Sequence, residues 1–283
     1  MSFVWIGPLL WGQSSTELYL LNIEQEDNEW SFGSPENISN NTGYNNQPYF
    51  TNDSTLLYAR NNNGQTDIAS YAIKNRSTII FNTETPGSEY SPQPIPNSNE
   101  VSAVRLDLDG TQALYRYQKK GEFTPFIPKE EIAYYAFHTK DTLVASILSE
   151  GELDLVVFFP KEDKKYTLLK QSGRCIQKVP NSKAISYTAV NEYGKLDLYQ
   201  LDMASLESYF VCELPIGIQD YIWMNDSQIL IGSGSQLFLY DLFGDGDWQS
   251  VHDFSTFGIK EITRLAISPN KKKLAIVAAA QNE

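Results

Sequence analysis

The side chains best suited to catalysis or metal binding are scarce in this sequence. It contains two histidines, His138 and His252, and two cysteines, Cys175 and Cys212. A zinc site usually needs three or four nitrogen or sulfur ligands, and a nucleophilic triad needs a histidine base within reach of its nucleophile. The cysteines are too far apart in sequence for a C-x-x-C motif. The sequence therefore favours a non-catalytic protein over an enzyme, and we expect neither a metal nor a cofactor.

Acidic residues are abundant, but their spacing indicates no particular reaction. Glycoside hydrolysis needs two carboxylates about 5–10 Å apart, and 35 Asp and Glu residues allow such a pair anywhere in a fold. The stretches at 106–110 (LDLDG) and 244–247 (GDGD) lack the spaced ligands of a calcium loop and are more typical of tight turns. The sequence also has no G-x-x-x-x-G-K-[ST] phosphate loop.

The charge and composition exclude several classes of protein. The 283 residues carry 22 Lys and Arg against 35 Asp and Glu, a net charge of −13, which argues against nucleic acid as a partner. Hydrophobic residues make up 41% of the chain, enough for a folded core. No apolar run approaches the ~18–20 residues of a membrane span. The length fits either two ordinary domains or one large all-β domain.

Residues 1–13 are unlike the rest of the chain. The run FVWIGPLLW at 3–11 is followed by Gly12, Gln13, Ser14 and Ser15. This order resembles the apolar half and small-residue exit of a secretory signal without its basic start. The alternative interpretation is an apolar stub that packs on the domain. We favour export, which predicts a periplasmic or extracellular protein.

A repeat of 41–46 residues organises residues 14–283. Its anchor is the third residue of a short motif, and the six anchors are Phe50, Pro96, Phe137, Pro180, Trp223 and Ile267. Each motif ends in a turn rich in Asn, Asp, Ser and Lys, which suits a reversal between antiparallel strands. A β-type apolar run follows, and then a glycine that opens a third strand, at Gly64, Gly110, Gly151, Gly194 and Gly234. Glycine there supplies a positive φ angle.

A fourth, more variable strand follows, at 77–82, 165–170 and 208–214. Four short strands per repeat predict an all-β, six-bladed β-propeller. The sixth repeat stops after its second strand, at 273–277. The missing strands are at the other end of the chain, where 16–23 matches the third-strand pattern and 29–39 supplies a fourth. Pairing the two termini closes the ring and removes free sheet edges. In this arrangement Cys175 and Cys212 lie on separated strands of one blade, so we expect no disulfide between them.

The repeat resembles the TolB-like, WD-repeat-like six-bladed propeller family. The similarity is carried by residues 48–53 (PYFTND), 221–226 (YIWMND) and 268–270 (SPN), and by the third-strand starts at Gly64, Gly151 and Gly194. The pattern departs from the family at Pro96 and Pro180, which replace the aromatic anchor. The resemblance implies a periplasmic or envelope scaffold that binds other proteins. We expect no fused catalytic domain after the sixth blade.

Two groups of polar residues are the binding candidates at one mouth of the central channel. The first lies three residues before each anchor and comprises Gln47, Gln93, Tyr134, Gln177, Asp220 and Arg264. The second lies on the loops between second and third strands and comprises Asp107, Asp109, Glu150, Glu152 and Glu192. Such a rim suits a cation, a sugar-like ligand or a basic segment of a partner. The simpler interpretation is a solvated rim.

The sequence thus predicts a non-catalytic, monomeric scaffold whose partner is another protein of the cell envelope. The alternative is small-molecule or glycan binding in the central channel, including hydrolase or lyase activity. A deep pocket with converging titratable groups would favour the alternative. An exposed apolar patch on one rim would favour the scaffold.

Overall fold

The computed structural model describes residues 14–27, 29–81, 85–118 and 121–281. The signal-like segment at 1–13 lies outside these residues. In the described part of the chain, 25 strands form six antiparallel sheets, one per blade, which confirms the predicted fold.

Blades 1 to 5 are four-stranded meanders, and in all six blades the first strand faces the central channel. The N-terminal strands are β1 (Thr16–Glu26), β2 (Glu29–Phe32) and β3 (Glu36–Asn37). Blade 1 follows with β4 (Asn45–Asn52), β5 (Thr55–Asn62), β6 (Gln65–Ala72) and β7 (Ser77–Ile80). Blade 2 contains β8 (Ser88–Pro94), β9 (Val101–Leu106), β10 (Gln112–Tyr117) and β11 (Phe123–Ile127). Blade 3 contains β12 (Ile132–Thr139), β13 (Thr142–Ser149), β14 (Glu152–Phe159) and β15 (Lys164–Leu169).

The remaining blades repeat this order. Blade 4 contains β16 (Ser172–Lys178), β17 (Ala184–Val190), β18 (Leu196–Asp202) and β19 (Ser208–Glu213). Blade 5 contains β20 (Ile222–Trp223), β21 (Gln228–Ser233), β22 (Gln236–Asp241) and β23 (Gln249–Asp253). The C-terminal strands are β24 (Arg264–Ile267) and β25 (Lys273–Ala279). Short 3-10 helices follow β14, at Pro160–Glu162, and β23, at Ser255–Phe257.

Blade 6 is built from both termini, as the repeat predicts. Its strand order is β24, β25, β1 and β2, and β3 also pairs with β1. The seam between β25 and β1 runs antiparallel from the pair Thr16–Ala279 to the pair Asn22–Lys273. Because the seam joins the two ends of the chain within one sheet, it completes blade 6 and closes the ring of blades.

The core is divided among the blade interfaces. Each anchor aromatic packs between its own blade and the preceding one. Phe50 lies among residues of blades 1 and 6, Phe137 among residues of blades 2 and 3, and Trp223 among residues of blades 4 and 5. Trp223 also donates a hydrogen bond from Nε1 to Ser186 Oγ of the neighbouring blade, at 2.8 Å. The three aromatic anchors are therefore core residues of the blade interfaces.

The third-strand glycines and aspartates are structural. Gly64 and Gly151 have φ angles of +91° and +85°, which only glycine adopts easily. Asp67 accepts a hydrogen bond from the side-chain amide of Asn62 at 2.6 Å, and Asp197 accepts one from that of Asn191 at 3.0 Å. In blades 1 and 4 these bonds connect the end of the second strand to the start of the third.

Two further features bear on the sequence predictions. Cys175 and Cys212 are buried free thiols, on the innermost and outermost strands of blade 4. In the part of the chain that the structure describes, no helix is long and apolar enough to cross a membrane.

Candidate functional site

The first predicted group of polar residues lines the central channel. The six inner strands enclose a cavity of about 500 Å³, and each blade contributes one residue of the group to its lining: Gln47, Gln93, Tyr134, Gln177, Asp220 and Arg264. The repeat register alone therefore placed these side chains together. Their binding role stays a prediction.

A charged cluster lies where the inner strands begin. Asp220 accepts hydrogen bonds from Arg174, through Nε at 2.7 Å and through Nη2, on one carboxylate oxygen. Its other oxygen lies 3.3 Å from Nε of Arg264. The three side chains come from blades 4, 5 and 6. Burial opposes the charge of Arg264, but Asp220, together with the neighbouring Tyr44, Tyr134 and Cys175, more than offsets this, so the pKa of Arg264 is raised. One carboxylate thus holds two guanidinium groups, and the cluster is cationic.

Tyrosines surround this cluster. The rings of Tyr44 and Tyr90 meet edge to face, with centroids 6.0 Å apart. Burial raises the pKa of Tyr44 to about 12, although the nearby Arg264 and Arg174 act in the opposite direction. Tyr44 is therefore a neutral phenol at physiological pH, and it adds no negative charge to the two arginines.

Bulges in the inner strands aim polar groups at the channel. The pairing of β4 with β5 shifts register between Asn46 and Tyr49, and Gln47 there has a φ of +58°. Blade 2 has a corresponding shift near Ser91. Such a bulge leaves a residue unpaired and redirects its side chain. The side-chain Oε1 of Gln47 accepts the backbone N–H of Ser91 at 2.7 Å, so a side-chain amide of blade 1 fixes the bulge of blade 2.

The other end of the cavity is also basic. Its lining extends to Lys178, Asn181 and Lys271, which lie at the turns between first and second strands. Tyr49 lines the wall and leaves 39% of its surface exposed. The cavity lining therefore carries four cationic side chains and one carboxylate, Asp220.

The acidic candidates do not line this cavity. Asp107 forms an ion pair with Arg105 at 2.8 Å. Asp109 accepts the N–H of Thr111 at 2.9 Å, which lowers the pKa of its carboxyl group. Glu150 lies 3.7 Å from Lys170, and Glu192 is exposed. All four, with Glu152, lie at the end of the propeller that bears the loops between second and third strands.

We call this end the crown. It also bears the loops that connect successive blades, and it presents apolar side chains to solvent. Leu108, Tyr193 and Ile216 expose 89%, 78% and 86% of their surfaces, and Val190, at the end of β17, and Phe257, between blades 5 and 6, are also exposed at this end. Leu108 stands between Asp107 and Asp109, and Tyr193 follows Glu192. Apolar and acidic groups are thus interleaved on one surface.

The remaining titratable groups do not converge on a reactive centre. His138 lies near the end of β12 and His252 on the outer strand β23, where it packs on Phe254 with ring centroids 4.3 Å apart. Cys175 lines the cavity, but burial raises the pKa of its thiol to about 12, which leaves it protonated. Within residues 14–27, 29–81, 85–118 and 121–281, no group of three or more His, Cys, Asp or Glu is arranged to hold a metal.

Sequence reasoning missed Arg174, Tyr44 and Tyr90. Each lies six residues before the anchor of its blade and three residues before the predicted polar residue of the same blade. The same register would have found them. It would not have shown that Arg174 reaches across to Asp220 of the next blade.

Comparison with known proteins identifies the fold. No protein-family model matches the sequence, and no curated protein does. Among solved structures, a chain from Agrobacterium tumefaciens assigned as a TolB matches with a TM-score of 0.68 and 11% identity, over 96% of this chain and 100% of that one. A chain of the nidogen–laminin complex matches with a TM-score of 0.64 and 8% identity, over 94% and 100%. An oligogalacturonate lyase in complex with manganese matches with a TM-score of 0.59 and 11% identity, over 92% and 86%.

These similarities establish a TolB-like six-bladed β-propeller. At such low identity they concern the fold alone, and one fold serves both a protein complex and an enzyme here. Function has to be argued from the sites of this chain.

Proposed function

We propose that this TolB-like propeller is a non-catalytic scaffold of the cell envelope that docks a partner protein on its crown. The observation that carries the proposal is the set of exposed apolar side chains on loops of a single end, above all Leu108, Tyr193 and Ile216. Apolar side chains that are exposed among polar residues at one end of a fold are typical of a protein-binding surface.

The charges of the crown define the partner. Asp109 and Glu192 flank the exposed Leu108 and Tyr193 on the two loops. A complementary segment therefore carries Lys or Arg next to apolar side chains, so that its cations face these carboxylates. The signal-like start at 3–11 supports export, and with it a partner in the periplasm or envelope.

The test compares two surface variants of the full chain. The crown variant carries Leu108→Ser, Tyr193→Ser and Ile216→Ser. The control carries Phe243→Ser, which removes an aromatic ring that is 88% exposed at the opposite end of the propeller. Each is produced in the source cells, crosslinked and recovered, and equal melting temperatures establish that both are folded.

We expect a stoichiometric partner with wild type and with Phe243→Ser, and its loss with the crown variant. A second variant, Asp109→Lys with Glu192→Lys, should weaken capture and abolish its sensitivity to salt. If all variants recovered the partner protein equally well, the docking surface would lie elsewhere and the crown proposal would be wrong. Cell fractionation tests the location independently.

A second candidate function is binding or cleavage of a glycan in the channel, which the cavity of about 500 Å³ and the lyase fold similarity favour. The channel offers few side chains that could act as an acid, a base or a nucleophile. Asp220 is held by two arginines, and the Cys175 thiol stays protonated. The direct assay follows an unsaturated product from oligogalacturonate by its ultraviolet absorbance. Product formed by wild type and abolished by Arg264→Gln would replace the scaffold proposal.

A further inference from the structure

The sign of the charge inside the channel is opposite to that of the chain. The protein as a whole has a net charge of −13. The cavity lining instead carries Arg174, Lys178, Arg264 and Lys271 against the single carboxylate of Asp220, an excess of three positive charges. Charges of one sign concentrated in a concave, low-dielectric site attract ligands of the other sign.

The two arginines also have N–H donors that Asp220 does not use. A guanidinium group has five N–H donors. Arg174 uses Nε and Nη2 on Asp220, and Arg264 uses Nε on Asp220 and Nη1 in a long contact of 3.5 Å with Asn46. In the described part of the chain, Arg174 Nη1 and Arg264 Nη2 make no hydrogen bond. The Asp220 carboxylate therefore accepts only some of the hydrogen bonds that the two arginines can donate, and a second anion would accept the others.

The cationic side chains lie at both ends of the channel. Lys178 and Lys271 lie toward the end opposite the crown, and the arginines lie at the beginning of the inner strands, beside Tyr44 and Tyr90. An anion that enters the channel between Lys178 and Lys271 reaches Nη1 of Arg174 and Nη2 of Arg264 where the inner strands begin. Between the two ends the wall offers Tyr49 and the amides of Gln47, Gln93 and Gln177, which suit a ligand with an organic body and further polar groups.

We propose that the channel is a binding site for a small organic anion bearing carboxylate or phosphate groups, held by Arg174 and Arg264 and attracted by Lys178 and Lys271. The site is separate from the crown and requires no catalysis. Arginine binds both anion types through paired N–H donors, and the volume of about 500 Å³ limits the ligand to a small molecule.

Calorimetric titration of the full chain with citrate, and separately with inorganic phosphate, tests the proposal at constant ionic strength. We expect saturable binding of at least one anion, with one ligand per chain, and none of uncharged glucose. Tighter binding of citrate would identify a carboxylate ligand, and tighter binding of phosphate a phosphorylated one. Absence of saturable binding for both anions would overturn the proposal.

Variants locate the site. Arg264→Gln should weaken binding at least ten-fold, whereas Arg76→Gln, the same change on an exposed arginine of the outer edge, should leave it unchanged. Asp220→Asn removes the competing carboxylate and should tighten binding about ten-fold. Because this last variant gains affinity, poor folding cannot imitate the expected result. Equal affinities for wild type, Arg264→Gln and Asp220→Asn would show that any bound anion sits elsewhere and would reject the channel site.

Discussion

Replacing Asp220 by Asn should destabilise the propeller through two arginines that lose their counter-charge. The side chain of Asp220 is 9% exposed, and those of its partners Arg264 and Arg174 are 16% and 31% exposed. Removing one partner of a buried ion pair typically costs about 3–5 kcal/mol, because the other charge stays buried without compensation. Since Arg174 retains some contact with solvent, we take the lower figure, about 3 kcal/mol.

The expected loss translates into a measurable shift. With an unfolding entropy of ~2.1 cal/mol/K per residue, a propeller of roughly 270 residues loses about 1.8 °C of melting temperature for each kcal/mol. Asp220→Asn should therefore melt about 5 °C below wild type in scanning calorimetry, in a buffer without polyvalent anions. The matched control is Asp109→Asn, the same change at an exposed crown carboxylate, which should shift the melting temperature by about 1 °C or less.

A double variant separates charge from packing. Asp220→Asn combined with Arg264→Met removes the more deeply buried of the two uncompensated guanidinium groups and replaces it by an apolar side chain, so most of the lost stability should return, while the partly exposed Arg174 keeps contact with solvent. If Asp220→Asn melts within about 1 °C of wild type, the two arginines do not depend on this carboxylate, and the electrostatic account of the cluster is wrong.

Two further predictions concern the histidines and the cysteines. Burial, with Lys178 and Lys183 in the case of His138, lowers the pKa of His138 and His252 below the ordinary 6.5. Stability from these groups is thus complete above pH ~6.5 and falls as the pH drops below it. Melting temperatures from pH 7.5 to 5 should decrease less in a His138→Gln, His252→Gln variant than in wild type, and equal slopes would contradict this. Burial likewise raises the pKa of both cysteine thiols to about 12, so a thiol reagent at pH 8 should modify two groups only after unfolding, and stoichiometric labelling of the native protein would contradict it.

The blade architecture was predictable because it repeats. The anchor spacing places Phe50, Phe137 and Trp223 at the same point of successive blades, and local turn chemistry with a glycine of positive φ defines the following strands. Even the pairing of 16–23 with 273–277 follows from the repeat, because the two partial blades complete each other. A signal repeated six times is robust to a departure such as Pro96 in one blade.

The character of the channel was not predictable in the same way. The repeat register placed Asp220 and Arg264 on the inner strands, but Arg174 joins them from 46 residues earlier in the chain. Such a contact depends on which way a long side chain turns between blades, and no local pattern encodes that. The exposed apolar residues of the crown were not predictable either, because an apolar residue in a loop, such as Leu108 or Ile216, is equally consistent with a buried and with an exposed position.

The charged cluster ties the channel to the closure of the ring. Arg174, Asp220 and Arg264 come from three consecutive blades, and the last of them stands on β24, the inner strand of the blade that both termini build. β24 is held by β25, which pairs along its length with β1. The position of Arg264 therefore depends on the seam between the ends of the chain, whereas the crown loops around Leu108 and Tyr193 belong to blades that are continuous in sequence. The terminal seam thus bears directly on the geometry of the channel and only indirectly on that of the crown.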